Sequence, residues 1–484
     1  MQNDTSPSRR KVLVFGASGY IGTNLVPRLL RESSVVVRAA ARSRRVLEAR
    51  GWAGAELVEA DALRPETLVP ALDGVDTAYY LVHSMSAGRG FGALDLAAAR
   101  HFAAAAATAG VRCIVYLGGL VPEGADSEHI VSRRDTGDVL REGPVPVIEL
   151  RAGIIVGPGS AAFEVMRDLV LNLPMMVTPR WVQAKSPPIA LDNLLEYLVR
   201  LPSVPEAQGR IFDAGGPEVI TYAEMMKRLA VAAGQRRPWI IPVPVLTPTL
   251  SSYWLRLVTA VPTPIARALI GGLKHDFHAN DAELRRLVPQ RLLDFDESVE
   301  AVFEAERRHE VQARWTEGAF PMRGYRVEHA YYAKRASGTA ETDAPPEAAW
   351  KVVEAIGGGN RYYCSGWLWW LRELLDWTIG GPGRNRGRRD PETLRVGDHV
   401  DSWHVIGLEP GRRLTLMMGM KAPGAGVLEF EVEPRPSGGA RVTATAYWHP
   451  AGVWGLAYWY TLVPAHLFIF RCMTSSICRR AEGR

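Results

Sequence analysis

Between residues 11 and 151, apolar side chains gather in short unbroken runs. KVLVF at 11–15, VVVRAA at 35–40, the segment Ala55–Val58, TAYYLV at 77–82, CIVYL at 113–117 and VPVIELR, ending at Arg151, are each too short for a helix. Their β-branched content fits strands covered on both faces, where no polar alternation is needed. Between them lie stretches with apolar residues at helical spacing, among them Tyr20–Leu30 and the Ala-rich Leu94–Ala109. Strand and helix in alternation predict βαβ units and an α/β domain on a doubly wound parallel sheet.

Helical spacing continues at Leu191–Leu201 and Tyr222–Ala233, and a charged helix at Glu297–Arg314 closes this region. The Pro-spaced apolar stretch Pro238–Pro264 fits neither template; its composition suits a cap over a substrate pocket or contact with a membrane surface. Beyond it the pattern changes. A strand at His329–Thr339 leads to Asp343, the expected N-cap of a helix with prolines at its start. The aromatic-rich Tyr362–Trp377 follows, then four strand-like pieces, HVDSWHVIGL, RRLTLMMGM, GVLEFEVEP and ARVTATAYW, and a final helix from Trp454 to Arg480. This order describes an α+β unit of about 155 residues, an ordinary domain size. One core seldom serves more than about 300 residues, so two domains are expected, residues 11–325 and 328–484, behind a disordered N-terminus at 1–10.

Composition is that of a folded protein, 47% hydrophobic and 23% charged, and excludes disordered and disulfide-scaffold classes. The net charge of +5 is a weak field over 484 residues. It suits an anionic cofactor or a membrane surface, and without a basic stripe or a reading motif it excludes nucleic acid as a partner. The arginines at Arg384–Arg389 read as a solvated loop. The four cysteines, Cys113, Cys364, Cys472 and Cys478, share no CxxC spacing, so a reducing compartment is expected and no metal site follows. The polar N-terminus runs straight into a strand with no signal peptide, which makes the cytoplasm the expected location. Val453–Phe470 approaches the length and apolarity of a membrane span, but it contains Pro464 and His466 and is closed by Arg471. A buried or membrane-surface helix is expected there rather than a span.

The chemistry begins at GASGYIG, residues 16–22, between a strand and a helix. Gly16 permits the tight turn, Gly19 lets a pyrophosphate approach the backbone, and Gly22 packs the helix on the sheet. The phosphates then meet N–H groups at the helix N-terminus. About 20 residues on, a carboxylate would bind the ribose hydroxyls of NAD. Here RAAARSRR at 38–45 offers only bases. NADP(H) is therefore the expected cofactor, with Arg42 as its phosphate ligand and Ser43 and Arg38 as helpers. Asp61, after the third strand, stands where the adenine would meet its loop.

VLVFGASGYIGTNLV, Asp61, the helix around Asp95 and Arg100, AGVRCIVYLGGL and LRAGIIVGPGS together resemble the atypical, NmrA-like branch of the short-chain dehydrogenase/reductase superfamily, over about residues 10–320. The resemblance implies a Rossmann-type sheet and a nucleotide site on Gly16, Ser18, Gly19, Tyr20, Ile21, Gly22, Arg42, Asp61 and Ala62, with Leu81–His83 along the cofactor. It breaks at the catalytic pair. The Tyr-xxx-Lys of that family has no counterpart; the equivalent i, i+4 pair is His129 and Arg133, and Gly118 and Gly119 replace the usual serine. Arginine cannot deprotonate, although it can hold the nicotinamide ribose. His129 is open to two readings, a proton donor suited to neutral pH or a hydrogen-bonded structural histidine.

YLGGLVPEG, HIVSRRDTGDVLR and FEVMRDLVLNLPMMVTPRWV further resemble a bacterial group of such proteins that carries an extra C-terminal domain of unknown function. In element order and aromatic-rich helix, that domain is similar to the helix-grip, START/polyketide-cyclase superfamily. This implies a curved antiparallel sheet around a long helix, with a cavity for a small apolar molecule. Trp367, Trp369, Trp370 and Trp377 each read as core residues, and together as lining for such a pocket. Two functions compete. One is an NADP-dependent reductase or isomerase of an apolar small molecule. The other is a non-catalytic NADP(H)-binding sensor or assembly factor, resembling NmrA or the nucleotide-binding accessory subunit of respiratory complex I. Peripheral membrane contact through Val453–Phe470 and the Pro-spaced stretch is a third reading.

Overall fold

The computed structural model describes residues 9–48, 50–83, 91–125, 127–243, 275–308, 333–379, 388 and 390–483. The chain divides into two compact units, and the described part of the second comprises residues 171–173 and the described residues from 333 to 483.

In the first unit seven strands form one parallel sheet: β1 (Arg10–Phe15), β2 (Val35–Ala41), β3 (Glu56–Glu59), β4 (Thr77–Tyr80), β5 (Cys113–Gly119), β6 (Val147–Ala152) and β7 (Ile211–Ala214). Their order across the sheet is β7-β6-β5-β4-β1-β2-β3. The doubly wound α/β architecture expected from the runs is present. Consecutive residues of β1 explain why its run is unbroken. Val12 and Val14 join Leu25, Val37 and Leu194 in one core, while Leu13 and Phe15 join Leu68, Tyr80 and Phe102 in another. A side chain buried on either face contributes roughly 1.5–3 kcal/mol, so no polar position in the run is tolerated. The order reverses between β1 and β4, and at such a switch point the carboxyl ends of the strands leave a crevice.

Three helices bear on that crevice: α1 (Tyr20–Leu29), α2 (Phe91–Thr108) and α3 (Glu128–Glu142). Further along, helices Leu191–Arg200, Tyr222–Ala232 and Phe295–Arg307 fall where the periodicity put them. The last starts two residues early because Asp294 and Glu297 form a reciprocal capping box. The N-terminus also orders earlier than expected, since Arg10 already belongs to β1. Trp239–Val243 of the Pro-spaced stretch is a strand paired with Met175–Pro179. Residues 244–264 of that stretch, residues 1–8, residues 329–332 of the expected strand, and residues 384–387 and 389 of the Arg-rich loop lie outside the described residues. Arg388 itself is no solvated loop charge: it donates to the carbonyls of Glu354, Ile356, Asp390 and Thr393.

The second unit is a six-stranded antiparallel sheet with helices, as expected for its α+β pattern. Its strands are β8 (Lys334–Thr342), β9 (His399–Val400), β10 (Trp403–Glu409), β11 (Arg413–Met418), β12 (Gly424–Pro434) and β13 (Ala440–Pro450), ordered β8-β13-β12-β11-β10-β9. Helices α4 (Pro346–Glu354), α5 (Gly366–Thr378) and α6 (Gly452–Ala481) complete it. Ile469, Phe470, Met473 and Ile477 of α6 pack with Phe430, Val432 and Val442. The crossing is close: a Cβ on Gly338 of β8 would lie 2.4 Å from the backbone of Phe470.

Three expectations fail here. Pro345, not Asp343, is the N-cap of α4, and the Asp343 carboxylate turns outward to Arg435, 3.5 Å away. Only Trp369 of the four tryptophans packs against the core, beside Tyr362 and Trp403, while Trp367, Trp370 and Trp377 are exposed. Cys364 and Cys472 are joined in a disulfide with Cα atoms 5.8 Å apart. Their separation of 108 residues hides a proximity that α6 creates by lying beside the start of α5.

Candidate cofactor and catalytic site

β1 ends at Phe15, and the chain turns at Gly16 with φ at +92°. A Cβ on Gly16 would sit 2.9 Å from the carbonyl oxygen of Leu81, the residue just past β4. On Gly22 it would sit 2.5 Å from the Gly16 oxygen and 2.7 Å from the Cα of Ala17. The fold alone therefore demands glycine at both positions. Gly19 differs, because its φ of −74° and ψ of 172° suit any residue, and a Cβ there would meet only the Gly16 oxygen, at 3.2 Å. It is the N-cap of α1, and no side chain caps that helix. The N–H groups of Tyr20, Ile21 and Gly22, next to Ser18, thus have no acceptor within the helix. A helix N-terminus with no side-chain cap fits a pyrophosphate.

At the tip of β2, Arg42 is exposed and pairs with no carboxylate among the described residues, and Ser43 beside it is half-buried. Arg38 is no helper. Its Nε donates to Glu56 at 2.9 Å, and Nη1 donates to the carbonyls of Ala71 and Asp73, because it lies three residues inside β2. Arg50, which the sequence reading passed over, is better placed. Its Nη2 donates to the Ser18 carbonyl at 3.4 Å, and its Nε is buried without a hydrogen-bond partner among the described residues. Asp61 accepts from the Leu63 N–H at 3.0 Å, which shapes the loop after β3, and the Ala62 carbonyl accepts from His101 at 2.8 Å. The loop abuts the tip of β2 through the Ala60 N–H, which donates to Ala41 at 3.0 Å.

His83, two residues past Leu81, is the middle of a buried chain. Its Nδ1 lies 2.7 Å from a carboxylate oxygen of Asp95 on α2, and its Nε2 lies 3.1 Å from Nδ1 of His129 on α3. The same Asp95 oxygen accepts from the Ser132 hydroxyl at 2.9 Å. A carboxylate only accepts, so the protons are ordered: His83 donates to Asp95 and accepts from His129, leaving Nε2 of His129 as the outer end. Burial pushes the His83 pKa down against the Asp95 hydrogen bond that raises it, and the Arg133 charge adds to the fall. His129 goes well below its ordinary value, again through burial first and then the charges of Arg133 and His83.

Arg133 lies one turn beyond His129 and donates to the Leu117 carbonyl at 2.6 Å, while its own carbonyl accepts from the Tyr116 hydroxyl at 2.9 Å. Gly119 makes room for it, since a Cβ there would sit 3.3 Å from the Arg133 Nε. Gly119 and the Arg133 side chain thus fit each other sterically. The structure brings His83, His129 and Arg133 together and adds Asp95 and Ser132. The sequence signal for Asp95 was a lone carboxylate in an Ala-rich helix, which has no reason to be buried unless something answers it.

Residues 16–140 match a family described as NAD(P)H-binding, and residues 326–473 match one described as a protein of unknown function, DUF2867. The (4-alkanoyl-5-oxo-2,5-dihydrofuran-3-yl)methyl phosphate reductase of Streptomyces griseus subsp. griseus is 29% identical over 233 residues, which is 46% of this chain and 74% of that protein. Triphenylmethane reductase of Citrobacter sp., solved with NADP(H), is 18% identical with a TM-score of 0.51. The NADPH-dependent quinone oxidoreductase of Escherichia coli, solved with NADPH, is 19% identical, also at 0.51. Each of these structures covers 60% of this chain and 99% of its own, and each establishes the shared fold.

Proposed function

We propose that this chain, an NAD(P)H-binding protein with an NmrA-type Rossmann domain and a C-terminal DUF2867 domain, is an NADPH-dependent reductase of an apolar, conjugated carbonyl compound. The reading rests on the buried Asp95–His83–His129 chain beside the Gly16 turn. Bound NADPH supplies the hydride. The residues supply the proton and the geometry. Hydride addition to a carbon conjugated with a carbonyl leaves negative charge on oxygen, and His129, neutral at rest, takes up a proton from solvent at Nε2 and passes it to that oxygen. His83 and Asp95 then hold the neutral ring in one tautomer until solvent returns the proton. Arg133, fixed on the Leu117 carbonyl, takes over the ribose-holding task of the missing lysine. Arg42 and Arg50 favour NADPH over NADH by meeting the extra phosphate.

The substrate class draws on the Streptomyces griseus relative, whose name describes reduction of an alkanoyl oxo-dihydrofuran. The likeness of the C-terminal domain to the helix-grip superfamily supports a part in holding an apolar ligand. The test is NADPH oxidation across a panel of enones, unsaturated lactones and quinones. Turnover is expected, and His129→Ala and Asp95→Asn should each lower kcat by about 10²–10⁴-fold without loss of NADPH binding. Tight NADPH binding with no turnover on any member would sink the reductase reading in favour of a sensor or assembly factor.

A further inference from the structure

α5 is built inside out. The residues it buries are its two acids, Glu373 and Asp376, while Trp367, Trp370, Leu371, Leu375 and Trp377 face outward, Trp367 at 68% exposure. The amphipathic helix of a soluble domain shows the reverse. The domain fixes this orientation with ionic contacts: Asp376 accepts from the Lys421 backbone N–H at 2.6 Å and lies 3.8 Å from Arg372, and Glu373 lies 3.8 Å from Arg361.

α6 extends the same surface. It runs antiparallel to α5, since Cys364 just before α5 is bonded to Cys472, and Arg372 of α5 donates to the Tyr458 hydroxyl at 3.0 Å. An 18-residue window of α6 reaches a mean hydropathy of 1.3 with 28% of it buried. Val453, Trp454, Tyr460, Leu467 and Phe468 are exposed, Trp454 at 78%. Further along, Ile469, Phe470, Met473, Ile477 and Cys478 belong to the core, so α6 cannot leave the domain to cross a bilayer. Its exposed part, about 24 Å long at 1.5 Å per residue, can lie on one. His466 is no obstacle. Burial holds it down at about 4, uncharged between the rings of Trp459 and Phe470 at 5.0 and 5.5 Å.

The chemistry of the face selects its occupant. α6 contains no Asp or Glu, and both acids of α5 are buried, so the exposed charges on the two helices are cations, Arg471 among them. Lys421, at the end of α5, adds another. A second copy would bring the same cations and no acid to meet them. Tryptophan and tyrosine settle at the boundary between water and hydrocarbon, and flanking cations suit anionic headgroups. We infer that this face docks the C-terminal domain onto an anionic phospholipid bilayer, as a surface patch rather than a span.

The test is flotation of the full chain with phosphatidylglycerol vesicles, together with quenching of tryptophan fluorescence by brominated phospholipid. The chain should float and be quenched. The double variant Trp367→Glu/Trp454→Glu should bind at least about tenfold more weakly, with unchanged melting and unchanged NADPH binding. That control separates docking from the reductase reading, which stands or falls on turnover in solution. Three results overturn the docking: wild-type chain that stays in the aqueous phase, flotation undiminished in the double variant, or lipid-free self-association that the double variant abolishes.

Discussion

The two units bury carboxylates for opposite purposes. In the parallel-sheet unit Asp95 is buried against an imidazole, which passes its influence to a second ring with an open end. In the antiparallel unit Glu373 and Asp376 are buried against guanidinium groups and a backbone N–H, and what they fix is the outward face of a helix. A buried acid therefore carries no function in itself. Its partner decides: a titratable partner makes a proton path, and a permanent cation makes a fastener. The same contrast runs through the apolar residues, which fill both faces of the sheet in the first unit, whereas in the second, beside an ordinary core, α5 and the first half of α6 hold them at the surface.

The contrast breaks most violently at the glycine turn. Gly22→Val places a side chain 2.5 Å from a backbone oxygen and should cost about 3 kcal/mol or more, unfolding the first unit while the transition of the second persists in calorimetry. Gly19→Asp should melt as the wild type does and lose NADPH binding, because its backbone is ordinary and its carboxylate faces the phosphates. Retained affinity in a titration would refute the turn assignment. Next in size is the disulfide. Closing a 108-residue separation is worth about 2–4 kcal/mol, so Cys364→Ser should lower only the second transition and leave NADPH affinity intact.

The fold was legible where one physical constraint acts locally. Unbroken apolar runs mean strands covered twice, and the glycines of 16–22 announce a turn whose sterics need nothing from elsewhere in the chain. Lone residues whose meaning depends on a distant partner were not legible. Asp95 lies 12 positions from His83 and His129 lies 46 from it, and only the β4–α2–α3 arrangement makes them one chain. Arg38 and Arg42 look equivalent as letters, yet three residues of strand put one on Glu56 and the other at the open tip. The tryptophans of α5 misled for another reason. Hydrophobicity argues for burial, and only the helical phase of Glu373 and Asp376, both turned inward, shows that the rule is inverted there.

Cofactor choice sharpens the comparison on the first unit alone. Arg42→Ala should weaken NADPH by one to two decades, since a hydrogen bond to a charged group is worth about 1.5–3 kcal/mol, and should change NADH little. Arg50→Ala should cost less than about tenfold, again selectively for NADPH, because its guanidinium already leans on the Ser18 carbonyl. Equal losses for both cofactors would move either arginine from the extra phosphate to the pyrophosphate or the loop.

The smallest effect is on stability against pH, and it separates the units by their histidines. His83 and His129 in the first unit and His466 in the second all have pKa values below the ordinary one, chiefly through burial. Above about pH 6.5 each ring is neutral whether the chain is folded or not, and none contributes a pH dependence. As the pH falls below that value, the unfolded chain takes up protons that the folded one refuses, so stability is lost on acidification until the folded ring protonates. For His466, held at about 4, the loss at pH 5.5 is about 1 kcal/mol. Denaturant titrations at pH 7 and 5.5 should therefore show His466→Gln flattening the pH dependence of the second transition only. His83→Gln/His129→Gln should flatten that of the first only. Stability that rises on acidification would mean that the rings are charged and paired in the folded chain, and the proton order drawn from Asp95 to His129 would be wrong.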